Sequence, residues 1–551
     1  MANSKSAEAV QETYNLPSAK VEQICIEDAQ EALNRVDVDR LQHESLSFKS
    51  KATLRLAVTT IIWGLTVSAF AIDLSVMGSL ASVPAFREYY GTSTSGAEWG
   101  IIIAIYSIGN IVASCFQWLG DVIGRRGIAC CGCILLTIGC LIQAAAPNTD
   151  ALIAGRFVAG AGSALAATIG PAYMAEIAPS CFRGLAVGIY CSCYYLGAII
   201  IAGVLLGSSY MDSVWSFRLP LTFQIGPPAI VTVLIWLFTP ESPRWLIAKG
   251  RVDTAKSIIA RYHTTSEDIN DPIVATEVAQ ILASLELIEA APWDFSAFWK
   301  TPSGRYRLLV IIIYSFFQQF NGGGLLAYYL PGILELVGIT GAQDQLAINL
   351  GMVAANWTAT LVGASFVDRI TRRFILINTM VMFCIFLALM AIVNGLYANG
   401  IAMKAMGVLT IVFIYAFNIC IGLFLNVLHN VYPSEVLHYS QRAKGMGLYS
   451  LFQSAFGFAM TYGGAAALTV MKWKIYFLFF GIDLLCMYLA WKYFPEFRRL
   501  SLEEIDLVFE TPTTGSSLTL ERAGPVRVSL KLQESKVAKQ KEDARRRAAA
   551  A

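Results

Sequence analysis

Charge is what this chain has least of. Asp, Glu, Lys and Arg make up 15% of its 551 residues, whereas 56% belong to the hydrophobic set, and the mean hydropathy is +0.56. Soluble domains carry about a quarter charged residues, so that class is excluded and a chain crossing a bilayer many times is implied. The net charge is +2, and no basic tract stands apart from those flanking apolar stretches, which excludes nucleic acid as a partner. The first 50 residues are polar, with no apolar core ending in a small-residue cleavage site, so no secretory leader is expected. Histidine is nearly absent: His43 and His263 sit in polar segments, and His429 and His438 flank one helix end, which makes no metal cluster. All cysteines except Cys25 and Cys181 lie in or beside apolar spans, as in CCGC at 130–133, and read as small apolar filler. The glycosylation triplet Asn356-Trp-Thr358 falls inside an apolar span, out of reach of the modifying machinery. No nucleophile, metal set or phosphate loop supports an enzyme, and no cofactor is expected.

A hydrocarbon core of roughly 30 Å needs about 20 apolar residues of helix. Twelve such stretches are present, near 56–80, 98–118, 127–147, 150–173, 186–207, 219–238, 306–330, 345–367, 374–396, 405–428, 446–470 and 473–494. Cations cluster at alternate ends: Lys49, Lys51 and Arg55 before span 1, Arg125 and Arg126 after span 2, Arg183 after span 4. Arg369, Arg372 and Arg373 follow span 8, Arg442 and Lys444 follow span 10, and Arg498 and Arg499 follow span 12. The positive-inside rule then puts both termini in the cytoplasm. The expected organisation is an N-terminal tail (1–55), a six-helix half (56–238), a helical cytoplasmic loop (239–305), a second six-helix half (306–494) and a C-terminal tail (495–551).

The halves share signals. GDVIGRR at 120–126 recurs as VDRITRR at 367–373, and Glu176 stands seven residues before Arg183 as Glu435 does before Arg442. PESPR at 240–244 is echoed by PEFRR at 495–499. Three matches at an offset of about 250 residues mark a duplicated six-helix unit, as in transporters. Asp121 with Arg125 and Arg126, Glu176 with Arg183, Glu241 with Arg244, and the corresponding Asp368, Arg372, Arg373, Glu435 and Arg442 are candidate charged latches that hold in one state and break in another. The alternative is that they only fix topology.

One acid stands alone in an apolar run, Asp73 in TVSAFAIDLSVMGSLAS (65–81). A carboxylate there costs at least roughly 2.5 kcal/mol, so it needs a partner. Arg156 in span 4 lies at matching depth, roughly 10 Å below the outer surface by helical rise. Movement of span 1 against span 4 would change the acid's proton affinity, which makes the pair a candidate proton-coupling site. The alternative is a structural ion pair. A second polar set is carried by SFFQQFNGGGLLAYYLP (315–331) in span 7, with Gln318, Gln319, Asn321 and Tyr328, joined by Asn356 in span 8 and Gln453 in span 11. The glycine triplet weakens the helix. Amides both donate and accept, which suits sugar or polyol hydroxyls better than ions; the alternative is that they stitch helices together.

Taken in order, GDVIGRRG, GRFVAGAG with PAYMAEIAPSCFRG, PESPRWL, QQFNGGGLLAYY, VYPSEVLHYSQRAKGMG and SLEEID are similar to the motifs of the major facilitator superfamily, specifically its sugar-porter family. SEVLHYSQRAKGMG and GGGLLAYYLP most resemble the fungal lactose-permease-like branch. The resemblance implies an all-α membrane fold of twelve helices and proton-coupled sugar uptake by rocking of two halves. It implies Asp73 and Arg156 as the coupling pair and Gln318, Gln319, Asn356 and Gln453 as sugar contacts. Three positions depart from the family pattern: Cys191 replaces a polar contact in span 5, Gly324 replaces the asparagine closing QQxxGxN, and Asn430 replaces the ring-stacking tryptophan in the stretch before the span 10 glutamate. The expectation is therefore a monomeric sugar:proton symporter of the plasma membrane, whose partners are a sugar, protons and lipid. A porter exporting another uncharged metabolite, such as a fungal secondary product, and a sugar receptor that signals without transport are the alternatives.

Overall fold

The computed structural model describes residues 46, 50–92, 97–179, 181–286, 295–366, 370–400, 403–429, 431–437, 442–496 and 509, and no strand occurs among them. Hydrocarbon offers the backbone no hydrogen-bond partner, so each apolar run satisfies itself as a helix. The spans are α1 (Lys51–Leu80), α2 (Ala97–Ser114), α3 (Arg125–Ala145), α4 (Thr149–Ile177), α5 (Arg183–Ser208) and α6 (Trp215–Phe238). After a connection of short helices come α7 (Pro302–Tyr328), α8 (Ala342–Phe366), α9 (Arg372–Ala398), α10 (Met403–Cys420), α11 (Arg442–Met471) and α12 (Ile475–Tyr493). The twelve expected spans are present. α1 starts earlier than apolarity suggested, because the Ser50 hydroxyl caps it by accepting from the Thr53 N–H at 3.2 Å. Asn148 and Thr301 cap α4 and α7 in the same way, at 2.9 and 3.0 Å.

Small residues set the packing of α3 on α4. A Cβ at Gly132 would lie 2.6 Å from the Ala166 nitrogen, and one at Gly155 would lie 2.8 Å from Gln143 Cγ. Lipid tails give no hydrophobic push between helices, so close backbone approach of this kind is what holds them. Its consequence is positional, since Gln143 on α3 and Arg156 on α4 are brought against α1.

The sequence repeat returns as repeated contacts at the face where α1 begins, the basic face. Glu241, just past α6, accepts the N–H groups of Arg125 (2.9 Å) and Arg126 (3.3 Å) at the start of α3. Glu496, just past α12, accepts those of Arg372 (3.1 Å) and Arg373 (2.8 Å) at the start of α9. A carboxylate at a helix N-terminus meets both free N–H groups and the positive end of the dipole. Arg126 and Arg373 each donate to a tryptophan carbonyl, of Trp236 and Trp491, at 2.5 Å. Tyr173 and Tyr432 donate to the Pro240 and Pro495 carbonyls at 2.8 and 3.4 Å.

The connection from α6 to α7 contains helices Pro243–Ala248, Val252–His263, Pro272–Glu286 and Ser296–Lys300. His263 ties it to α4: one ring nitrogen meets Glu277 Oε2 at 2.5 Å and the other the Ile177 carbonyl at 3.0 Å. Burial pushes this imidazole down, but the Glu277 charge and the two hydrogen bonds outweigh burial and the nearby Arg183, and hold it above its ordinary range. Both partners are acceptors, so both nitrogens donate only when the ring is charged. The stabilisation is therefore complete below the unfolded pKa of about 6.5 and is lost as pH rises through the raised folded value. Thermal melting of the purified protein between about pH 6 and pH 8.5 should show a drop in stability that His263→Gln flattens; an unchanged slope in the variant would remove this clamp.

Candidate functional site

Asp73 and Arg156 are brought together. The Arg156 Nη1 donates to Asp73 Oδ2 at 3.1 Å, with both side chains fully buried. It also reaches the Asp73 carbonyl at 3.4 Å, and the guanidinium lies 4.4 Å from the centroid of the Tyr106 ring on α2. The other carboxylate oxygen accepts from Gln143 Nε2 at 3.1 Å and faces Cys140 Sγ at 3.9 Å, both on α3. Four helices, α1 to α4, thus converge on one acid. Gln143 and Cys140 escape a sequence reading that looks only for charges; the detectable signal was an amide inside span 3. A Cβ at Gly78, on the same helix as Asp73, would lie 3.8 Å from the Tyr328 Cα of α7, so this stretch of α1 lies where the second set of six helices meets the first.

The amides form a second network, built on tyrosines one helical turn away. Gln318 Nε2 donates to Tyr314 Oη at 2.7 Å, and Tyr314 donates to the Leu428 carbonyl at 2.9 Å. Gln453 Nε2 donates to Tyr449 Oη at 2.7 Å, and Tyr449 donates to the His429 carbonyl at 2.9 Å. Gln319 Nε2 donates to Gln453 Oε1, closing the link between α7 and α11. These two carbonyls come free because the short helix that follows a π turn at Ile421–Leu425 ends at Leu428, with His429 as its C-cap. Tyr-x-x-x-Gln occurs on both α7 and α11, a spacing visible in the sequence whose meaning emerges only when the carbonyls are placed.

Gln319 sits between the two sets, since a Cβ at Gly457 of α11 would lie 3.3 Å from its Oε1 and 3.7 Å from Ser107 of α2. Asn356 is half-buried on α8, which packs against α5. Asn321, expected among the ligand contacts, is instead spent inside α7: Nδ2 donates to the Gln318 carbonyl at 3.2 Å and Oδ1 accepts from Gly323 N at 2.8 Å. It is 3% exposed and holds the break, where Gly322 takes φ 82°. Gly324 stands against the Met460 sulfur, 2.9 Å from where its Cβ would be, and Cys191 packs in the apolar cluster around α1 and α4. Asn430 lies outside the described residues.

At the basic face Arg125 is the hub. Its Nε and Nη2 fork onto Glu176 at 3.2 and 3.1 Å, and Nη1 meets Asp121 at 2.6 Å. Ser242 donates to Glu176 at 2.5 Å. This corrects the expected pairing of Glu176 with Arg183: the forked guanidinium of Arg125 matches both carboxylate oxygens, while the exposed Arg183 starts α5 and makes no ion pair with it. In the second set Arg372 Nη2 meets Glu435 at 3.4 Å. Arg244 lies in the first turn of helix Pro243–Ala248. Asp368 and the Arg442 side chain lie outside the described residues. At the opposite face the two sets touch: Arg87 pairs with Glu335 at 3.3 Å, Asn349 donates to Ser79 at 3.0 Å, and a Cβ at Gly78 would lie 2.8 Å from the Ala327 carbonyl.

With this geometry in view, the family is plain: the chain belongs to the sugar (and other) transporter family, whose model matches residues 57–509. It is 30% identical over 339 residues to a probable inositol transporter 2 of Arabidopsis thaliana, covering 60% of this chain and 56% of that one. It is 27% identical over 465 residues to the MFS-type transporter criB of Aspergillus cristatus, covering 84% and 95%. The chain thus matches little more than half the length of the plant relative and nearly all of the fungal one. The xylose transporter XylE from E. coli, in a partially occluded inward open conformation, superposes with a TM-score of 0.67 at 18% identity, covering 80% of this chain and 98% of that one. The fold is that of a major facilitator.

Each tyrosine bridge joins a glutamine to a free carbonyl, so deleting one hydroxyl strands both. Tyr449→Phe should lower stability by about 1–3 kcal/mol, and adding Gln453→Leu should cost less than the sum of the two single changes. Additivity in the melting of the double variant would show that the two groups are not coupled.

Proposed function

We propose that the chain carries a sugar, or a related uncharged polyhydroxylated solute, across the membrane together with a proton. Two six-helix halves, 56–238 and 306–494, rock about the interface where Gln318, Gln319, Gln453 and Asn356 meet the solute. Relatives named as glucose and inositol transporters and as a galactose-proton symporter support the solute class. The observation that carries the reading is the 3.1 Å Asp73–Arg156 pair, fully buried, on a helix whose Gly78 abuts Ala327 and Tyr328 of the other half.

A proton on Asp73 cancels the pair's attraction and leaves Arg156 held by the Tyr106 ring and the Asp73 carbonyl. α1 is then free to shift against α4, and the contacts of Ser79 and Arg87 with α8 and Glu335 break as the solute end of α7 moves. Tyr328 links the two events. The latch residues Asp121, Arg125, Arg126, Glu176, Glu241, Arg244, Arg372, Arg373 and Glu435 set the balance between states, with the basic face and both termini in the cytoplasm. We place the protein in the plasma membrane as a monomer. A second reading, export of another uncharged metabolite, is favoured by Gly324 lying against Met460 where a sugar porter presents an amide.

In proteoliposomes under an imposed proton gradient, Asp73→Asn should abolish accumulation against a gradient while sparing exchange of labelled for unlabelled solute. Loss of both activities in a folded variant would reduce Asp73 to a structural role. Outward flux of a non-sugar, with none of any sugar, would select the second reading.

A further inference from the structure

The π turn at Ile421–Leu425 re-aims the residues that follow it. It holds one residue more than an α turn, so it rotates the next side chains by about 100° around the helix. Asn426 is the first residue after it. Two glycines seat α10 tightly on α8 there: a Cβ at Gly422 would lie 2.6 Å from the Asn356 carbonyl, and one at Gly363 would collide with the Leu423 carbonyl. At this contact Asn426 Nδ2 donates to Asn356 Oδ1 at 2.9 Å and approaches Thr360 Oγ1 at 3.3 Å. Thr360 in turn donates to the Asn356 carbonyl at 2.9 Å, and Tyr195 of α5 lies beside Thr360. All four side chains are half-buried at the seam between the two halves.

The pairing leaves a remainder. Once each amide has used one end on the other, Asn356 Nδ2 and Asn426 Oδ1 have no hydrogen-bond partner among the described residues. One is a donor and the other an acceptor, on amides joined by a 2.9 Å hydrogen bond. Reversing both amides leaves the same remainder, so the conclusion does not depend on which atom is nitrogen. A hydroxyl group, which accepts and donates at once, is the complement of such a pair; a carboxylate or an ammonium satisfies only half of it. An apolar solute surface would leave both groups unpaired.

We propose that Asn426 and Asn356 form an amide pincer that reads one hydroxyl of the transported solute, a specificity contact on α10 separate from the glutamine set on α7 and α11. This rests on the polyhydroxylated-solute reading above. It explains how a chain with Gly324 at one amide position retains hydroxyl recognition: the amide is supplied from α10 instead, aimed by the π turn. The signature of a shared hydroxyl is that both asparagines answer to the same position on the solute.

The test is ligand-induced thermal stabilisation of the full-length purified protein, titrated with D-glucose, D-galactose, D-xylose and myo-inositol, then with every monodeoxy derivative of the strongest binder. Wild type should lose roughly tenfold in affinity for one monodeoxy derivative, the scale of one hydrogen bond or somewhat more. Asn426→Leu and Asn356→Leu should each weaken the parent by about the same factor, erase the discrimination at that one position, and leave the other positions untouched. Asn426→Ser, smaller and polar, gives the same readout if the leucine variant does not fold. A folded Asn426 variant that keeps the wild-type deoxy profile, or the two asparagines answering to different positions, would overturn the pincer while leaving the transport reading intact. No stabilisation of wild type by any of the four solutes would overturn that reading, and the pincer with it.

Discussion

The buried contact between the Asp73 carboxylate and the Arg156 guanidinium is the constraint around which the first six helices are arranged. Two charges withdrawn from water are stable only while each satisfies the other, and removing one partner of such a pair typically costs about 3–5 kcal/mol. Glycines on α3 and α4 give the close approach that delivers Gln143 and Arg156 to α1, and α2 contributes the aromatic face of Tyr106. That face matters for function. A cation held against a ring in a dry site retains about 2 kcal/mol or more of attraction, so Arg156 keeps a resting place when the acid is neutral.

The second six helices solve a different problem, namely how to accommodate amides and broken helices without leaving the backbone unsatisfied. α7 and α10 are both irregular at mid-membrane depth, and irregular backbone there is tolerated only where protein or a water-filled cavity supplies partners. Asn321 holds the break in α7, while Tyr314 and Tyr449 take the carbonyls of α10. The same tyrosines then orient Gln318 and Gln453. The glutamines are thus tied through these tyrosines to the Leu428 and His429 carbonyls. One broken helix, α7, carries the glutamines and also abuts α1 at Gly78.

Much of this is legible in the residues. The spans come from apolar length, the duplicated charge signals reappear as duplicated helix caps, and depth alone matches Asp73 to Arg156. What sequence does not supply is partners chosen by direction. Proximity along the chain pairs Glu176 with Arg183, yet the fork of Arg125 fits both of its oxygens. Asn321 looks like a ligand amide because its side chain is polar; only the turn at Gly322 shows that both ends of the amide make hydrogen bonds within α7. Asn426 is invisible for a related reason, since its direction depends on a π turn that no local signal announces. Asp483 on α12 carries the same mark as Asp73, a lone acid in an apolar span, yet it is buried with no hydrogen-bond partner among the described residues.

The central claim is that solute and proton cross together. The most direct test is to add solute to proteoliposomes with no gradient imposed and to record internal and external pH while solute enters. The account predicts acidification inside and alkalinisation outside, in step with uptake and at a fixed ratio. Solute entry with both pH traces flat would contradict it.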